Sequence, residues 1–261
     1  MKKFTLNTVV TGLLVILITG CGGTSTENES ATKILFDDPV AGMNYSCDGE
    51  SSVSITTEKG EFTCQKDAMV VFSVGTYQIA TSHVSAGTDT ILRFADMNLS
   101  AKALADIRQL LQTLDQTPDD GIIKIEPNST ILNHVTVKPG DSTFDNEVEN
   151  AIGKPLVDEK RAEEYAEESY AKHILRNKTW YVVTGSDIAK VSYNSDMQPK
   201  VEDIRGSTTL PEISWRHPKK ISKIENDYVL VAVDCPCTND VLQIRFYSDK
   251  EKAEAYANKN Q

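Results

Sequence analysis

After its first twenty residues the chain has no apolar run near the roughly 18 residues that a membrane-crossing helix needs, no excess of basic charge and few residues suited to catalysis. Each absence excludes something. With 27 Lys and Arg against 38 Asp and Glu, the formal net charge is -11, so the chain lacks the basic footprint from which nucleic-acid binding starts. Its four histidines, His83, His134, His173 and His217, contain no pair at i,i+4 metal spacing and no H-E-x-x-H frame. A G-x-S-x-G elbow and a P-loop are missing too. Carboxylates are so plentiful that Asp119-Asp120 or Glu163-Glu164 cannot be singled out as an acid-base pair. The expectation is a non-enzymatic protein without a cofactor.

What is present begins with Lys2 and Lys3, the mostly apolar stretch Phe4 to Ile18, and the small residues Thr19 and Gly20 just before Cys21. That stretch is too short for a span and about the length of a secretory signal's apolar segment. One reading is an ordinary signal peptide with an incidental cysteine. However, Ile18-Thr19-Gly20-Cys21 resembles the lipobox of bacterial lipoproteins, with an aliphatic residue three before the cysteine and small residues between. The resemblance implies cleavage before Cys21, a diacylglycerol on its thiol and a fatty acyl chain, such as palmitate, on its new amino group. Gly22 stands where inner-membrane retention signals of that family carry Asp, which implies the outer membrane. Two or more acyl chains anchor stably. Loss of residues 1–20, which hold two lysines and no acid, takes the charge from -11 to -13. Such a body is repelled by anionic lipid, so the anchor, not a charged face, would hold it at the membrane. The expected partners are the membrane, through the anchor, and an envelope protein or glycan.

Cys47, Cys64, Cys235 and Cys237 then form an even set in an exported chain, where disulfides persist. Three connectivities are open. Pairing Cys47 with Cys64 and Cys235 with Cys237 is favoured because each pair lies inside its own candidate domain.

The pattern divides the chain into a signal peptide (1–20), a lipidated polar tether (21–33), a small β-sandwich module (34–95), a mainly helical middle region (96–176) and an antiparallel β domain with a terminal helix (177–261). The fold class is therefore α+β. In the first module, short β-branched and aromatic runs are punctuated by Gly49, Gly60, Gly75 and Gly87. Glu58-Lys59-Gly60-Glu61 reads as a hairpin turn between strands carrying Ile55 and Phe62. Tyr45, Cys47, Gly49, Gly60, Phe62, Cys64, Val71, Phe72 and Gly75 resemble a "Y-x-C-x-G... G-x-F-x-C-x-x-G-x-x-V-x-F-x-x-G" pattern of cell-surface lipoproteins of Gram-negative bacteria. Asp67 occupies the pattern's glycine position after the second cysteine, so that turn is in doubt. The resemblance implies an extracytoplasmic β module and no particular activity.

Ala103, Leu104, Ile107, Leu110, Leu111 and Leu114 recur at helical spacing, predicting an amphipathic helix over 100–115 capped by Ser100 or Asn98. Its exit, from "LLQTLD" into an acidic loop, also resembles those lipoproteins. Asp115, Asp119 and Asp120 offer hard oxygens to Ca²⁺, but the alternating register of a calcium loop is absent and Pro118-Asp119-Asp120-Gly121 is ordinary turn composition. Residues 122–137 read as two strands about Pro127-Asn128. Phe144, Val148 and Ile152 mark a second helix. Ala162, Tyr165, Ala166, Tyr170 and Ile174 mark a third, with a glutamate-rich face read as solvated. His173 on that helix reads as a partly buried residue rather than a ligand.

From Trp180 seven runs read as strands, a meander that is either a curled sheet or half of a small barrel, closed by a helix over "DKEKAEAYANK". Lys178-Thr179-Trp180-Tyr181 and the Arg245-Phe246-Tyr247-Ser248 run also resemble the terminal domain of such surface lipoproteins. Trp180, Tyr181 and Trp215 read as core before ligand surface. Cys235-Pro236-Cys237 closes a tight ring if oxidised: a brace between two strands, a redox-active pair, or two thiolates for a soft metal with no nearby ligand to complete the shell. The alternative to the binding or structural role is thus an envelope redox or metal-handling protein using Cys235 and Cys237.

Overall fold

The computed structural model describes residues 29–85, 90–118, 120–184, 186–205, 218–234 and 241–260, and over these the chain is α+β. Eight short strands come first: β1 (Ser30–Phe36), β2 (Val40–Ala41), β3 (Asn44–Cys47), β4 (Ser54–Ile55), β5 (Glu61–Gln65), β6 (Met69–Val74), β7 (Tyr77–His83) and β8 (Ile91–Arg93). All but β2 make two sheets, ordered β5-β1-β8 and β4-β3-β6-β7. Both contribute to one core, in which Phe62 stands edge-on to Tyr45 at 5.7 Å and to Phe72 at 5.1 Å.

Two expectations for this part change. The polar tether was read to residue 33, yet Ser30 to Lys33 already pair with Gln65 to Phe62. Their own weak hydrophobicity is overridden by a free strand edge to pair with, and alternation puts Lys33 and Leu35 on the buried side. The strands on either side of Gly60 do not form a hairpin: β4 pairs with β3, and β5 pairs with β1. Thr56 redirects the chain, because its buried hydroxyl donates to the Val40 carbonyl at 2.7 Å and accepts from the Met43 amide at 3.0 Å. Gly60, at φ +74°, then passes so close to Pro39 and Val40 that an added Cβ would lie 2.7 Å from the Val40 nitrogen.

Next come α1 (Ala101–Leu114), β9 (Ile123–Lys124), α2 (Phe144–Ile152) and α3 (Glu159–Leu175). Ser100 caps α1 by accepting from the Ala103 amide at 3.1 Å, and Asp158 caps α3. The core described above continues into Ile107, Leu110 and Leu111 of α1 and Phe144 and Val148 of α2. The apolar stripe of α1 is broader than its leucines suggest: Asp106, Arg108, Gln109 and Thr113 are buried as well. The segments after α2 account for two of them, since Gln109 donates to the Val157 carbonyl and Thr113 accepts from the Val157 amide. Residues 122–137 form one strand rather than two. β9 runs parallel to β2, and beyond Asn128 the chain closes into turns, held by Asn133, which accepts from the Thr76 amide and hydroxyl, and by the Tyr77 hydroxyl on the Val137 carbonyl.

The last region holds β10 (Thr179–Thr184), β11 (Asp187–Tyr193), β12 (Pro199–Arg205), β13 (Pro218–Ile224), β14 (Tyr228–Asp234), β15 (Val241–Tyr247) and α4 (Lys250–Lys259). Its sheet is antiparallel, in the order β12-β11-β10-β15-β14-β13. It is not one continuous meander: two three-stranded meanders join where Val182 of β10 faces Phe246 of β15. The seventh expected strand, with Trp215, lies outside the described residues. Period-2 alternation sends Val182, Val191, Val231 and Phe246 to one face and Val183 and Tyr247 to the other, where Ala253 and Ala257 of α4 cover them. Trp180 is buried, its indole N–H donating to the Leu175 carbonyl. No helix among the described residues is long and apolar enough to cross a membrane.

Candidate functional site

Of the expected site residues, Cys47 and Cys64 come together. They form a disulfide with Cα atoms 5.7 Å apart, joining β3 of one sheet to β5 of the other. Cys21, Cys235 and Cys237 lie outside the described residues, the last two between the end of β14 and the start of β15. In the acidic loop, Asp115 accepts from the Thr117 and Lys124 amides. Asp120 accepts from the Ile122 amide, the Thr117 hydroxyl and the Lys124 ammonium, and the bond from Lys124 holds its carboxyl below the usual range. These carboxylates organise a turn; Asp119 lies outside the described residues. Among the described residues no three His, Cys, Asp or Glu side chains are placed to hold a metal ion. Asp67 takes φ +62°, so the turn keeps the left-handed backbone for which the resembled pattern supplies glycine, a conformation Asp tolerates better than most residues.

The densest chemistry lies elsewhere, where α3 docks against the first region. β1 ends in a turn closed by a bridge between Phe36 and Pro39, which carries Asp37 and Asp38 inward; their residual exposures are 2 % and 4 %. Arg108, reaching across from α1, donates from Nε to Asp37 at 3.1 Å. Its Nη2 stands 3.5 Å from Glu167 of α3, within ion-pair reach but without a hydrogen bond. Arg93, at the end of β8, approaches the same Glu167 oxygen at 3.9 Å and lies over the Tyr170 ring at 3.7 Å. Phe36 packs between Tyr170 and His173 of α3, with ring centroids 6.3 and 4.9 Å away.

The electrostatics follow from burial. Desolvation raises Asp37 from its ordinary value to about 6, although Arg108 and Arg93 pull it down. It raises Asp38 further, to about 7, against a hydrogen bond donated by the Tyr165 hydroxyl and the attraction of Lys172 and Arg176. His173 is pushed down, first by burial and then by Lys178 and Arg176. Asp38 Oδ2, Arg93 Nε and Arg108 Nη2 find no hydrogen-bond partner among the described residues. The cluster opens to solvent through Glu167, which also lines a groove of about 460 Å³ between α3 and β13 with Glu163, Glu164, Lys219, Lys220 and Gln243.

Sequence patterning misses this cluster, except for one available signal. Arg108 sits on the helical stripe between Leu104 and Leu111, where a guanidinium demands a buried anion. The partner it finds, Asp37, is 71 residues away, and nothing local marks it. Chemically, the arrangement can pair charges and hold a proton. Comparison of the chain with protein-family models, with curated proteins and with solved structures finds no match, so the reading rests on the residues themselves.

Proposed function

We propose that the chain is a lipid-anchored lipoprotein of a bacterial outer membrane, whose folded body has a non-enzymatic binding or structural role toward an envelope protein or glycan. The observation that carries the reading is Ile18-Thr19-Gly20-Cys21, with Lys2, Lys3 and an apolar stretch ahead of it and a polar segment behind. The Cys47–Cys64 disulfide supports it, since such bonds persist in oxidising compartments and not in the cytosol. The test is metabolic labelling with a fatty acid in a Gram-negative host. The full chain is expected to take up label and fractionate with the outer membrane, and Cys21→Ser to lose both. Unlabelled protein, or membrane attachment unchanged in Cys21→Ser, refutes the anchor.

A second reading rests on Cys235-Pro236-Cys237, two thiols one residue apart between adjacent strands, as an envelope redox or metal-handling pair. Thiol counting on the native protein separates the two. Free or readily reduced Cys235 and Cys237 favour the second reading; four resistant half-cystines favour the first.

A further inference from the structure

Three carboxylates and two guanidinium groups meet where α3 docks, with Asp37, Asp38 and Arg108 almost wholly shielded from water. A carboxyl group so buried, with no cation bonded to it, relieves its desolvation most cheaply by keeping a proton. Asp37 accepts from Arg108, whereas Asp38 receives no guanidinium and its Oδ2 has no hydrogen-bond partner among the described residues. The proton therefore belongs on Asp38.

What the cluster joins gives the proton a consequence. α3 packs against α1 on one side and β13 on the other, and runs through only three residues into β10. Gln112 of α1 donates to the Ala162 carbonyl of α3, and Lys220 of β13 lies 4.0 Å from Glu167. We propose that the cluster is a proton-loaded latch: with a proton on Asp38 it holds α3, and through α3 the C-terminal sheet, against the N-terminal core, and the joint loosens as pH rises from the acid range to neutrality.

The groups facing Asp38 set the direction. Asp37, on its own turn, opposes its ionisation. From α3, the Tyr165 hydroxyl, Lys172 and, just past the helix, Arg176 favour ionisation, and burial outweighs all three. Around Asp37 stand Arg108 of α1, Arg93 of β8 and Glu167 of α3; Asp96 lies 4.0 Å beyond Arg93. Both aspartates have folded values above their ordinary ones, so their contribution to stability is complete below about pH 3.8 and is lost as pH rises through about 6 to 7. His173 works in the opposite sense, since its lowered value costs stability as pH falls through the ordinary histidine range. Between about pH 6 and 7 the loss therefore belongs chiefly to Asp38, and above 7 neither aspartate adds a further change.

The test is amide hydrogen exchange of α3 in the full chain between pH 4 and 9, corrected for the intrinsic pH dependence of exchange. The opening constant of α3 is expected to climb with pH up to about 7, by as much as tenfold per pH unit for each proton held only in the closed state, and to level off above. Asp38→Asn is expected to lower that slope by one proton and to abolish the last rise, between about pH 6 and 7. Tyr165→Phe, which deletes the donor to the ionised carboxylate, is expected to move the midpoint upward, a displacement that mere packing loss does not produce. A wild-type profile that is flat from pH 4 to 7 or still climbs above pH 8, an unmoved Tyr165→Phe midpoint, or an unchanged slope in Asp38→Asn overturns the latch; should Asp38→Asn fail to fold, the first two outcomes decide.

Discussion

The molecule closes its two main joints by opposite means. Between the β5-β1-β8 and β4-β3-β6-β7 sheets the contact is apolar and covalent, with Phe62 against Phe72 and Cys47 bonded to Cys64. Between that core and α3 it is ionic, with Arg108 on Asp37 and Arg93 over Tyr170 beside Glu167. A dry apolar joint keeps its strength over a wide pH range, because nothing in it titrates. A buried ionic joint depends on each partner's presence and protonation, since one uncompensated charge in the interior costs more than the pair contributes. The first joint is built for permanence, the second for sensitivity.

The largest effect should come from breaking the ionic joint on one side. Arg108→Ala leaves Asp37 buried without its cation and is expected to destabilise the fold by about 3–5 kcal/mol in urea unfolding. Replacing both partners, Asp37→Leu with Arg108→Met, is expected to restore most of that loss. If the double variant is no better than the single, the cost lies in lost packing rather than in the stranded charge. The covalent joint ranks next. Cys47→Ser with Cys64→Ser frees a closure of 17 residues and should cost about 3 kcal/mol in the chain-entropy model, equally at pH 6 and pH 9. A loss that changed between those pH values would blur the contrast between the joints.

Smaller effects sharpen the picture locally. Asp67→Val forces a β-branched residue into φ +62° and should lower stability by roughly 1–2 kcal/mol, while Asp67→Gly should be close to neutral; thermal melts of the pair check whether backbone conformation alone governs that turn. Ser100→Ala removes the hydroxyl that accepts from Ala103 and should cost about 1 kcal/mol in the same measurement.

The uneven legibility of the sequence follows from the same physics. Helix α1, its Ser100 cap, the Asp158 and Asp249 starts of α3 and α4, and most strands of the C-terminal sheet are local signals, visible in period and capping residues. Their pairings are not local. Val182 against Phe246 turns an expected single meander into two joined ones, and Thr56, binding Val40 and Met43, sends β4 and β5 into different sheets. The candidate site is the extreme case. Cys47 and Cys64 are legible because, in a chain expected to be exported, an even set of cysteines points to disulfides, whereas Asp37 and Asp38 look like any acidic turn until Arg108 and Arg93 arrive from distant elements. An aspartate's role depends on its burial, and burial is decided by the whole fold.

The most direct measurement of the central claim is mass spectrometry of the N-terminal peptide of protein extracted from membranes. The account predicts a peptide that begins at Cys21 and carries a diacylglycerol on sulfur and an acyl chain on nitrogen; a peptide with unmodified Cys21, or one that still begins at Met1, would contradict it.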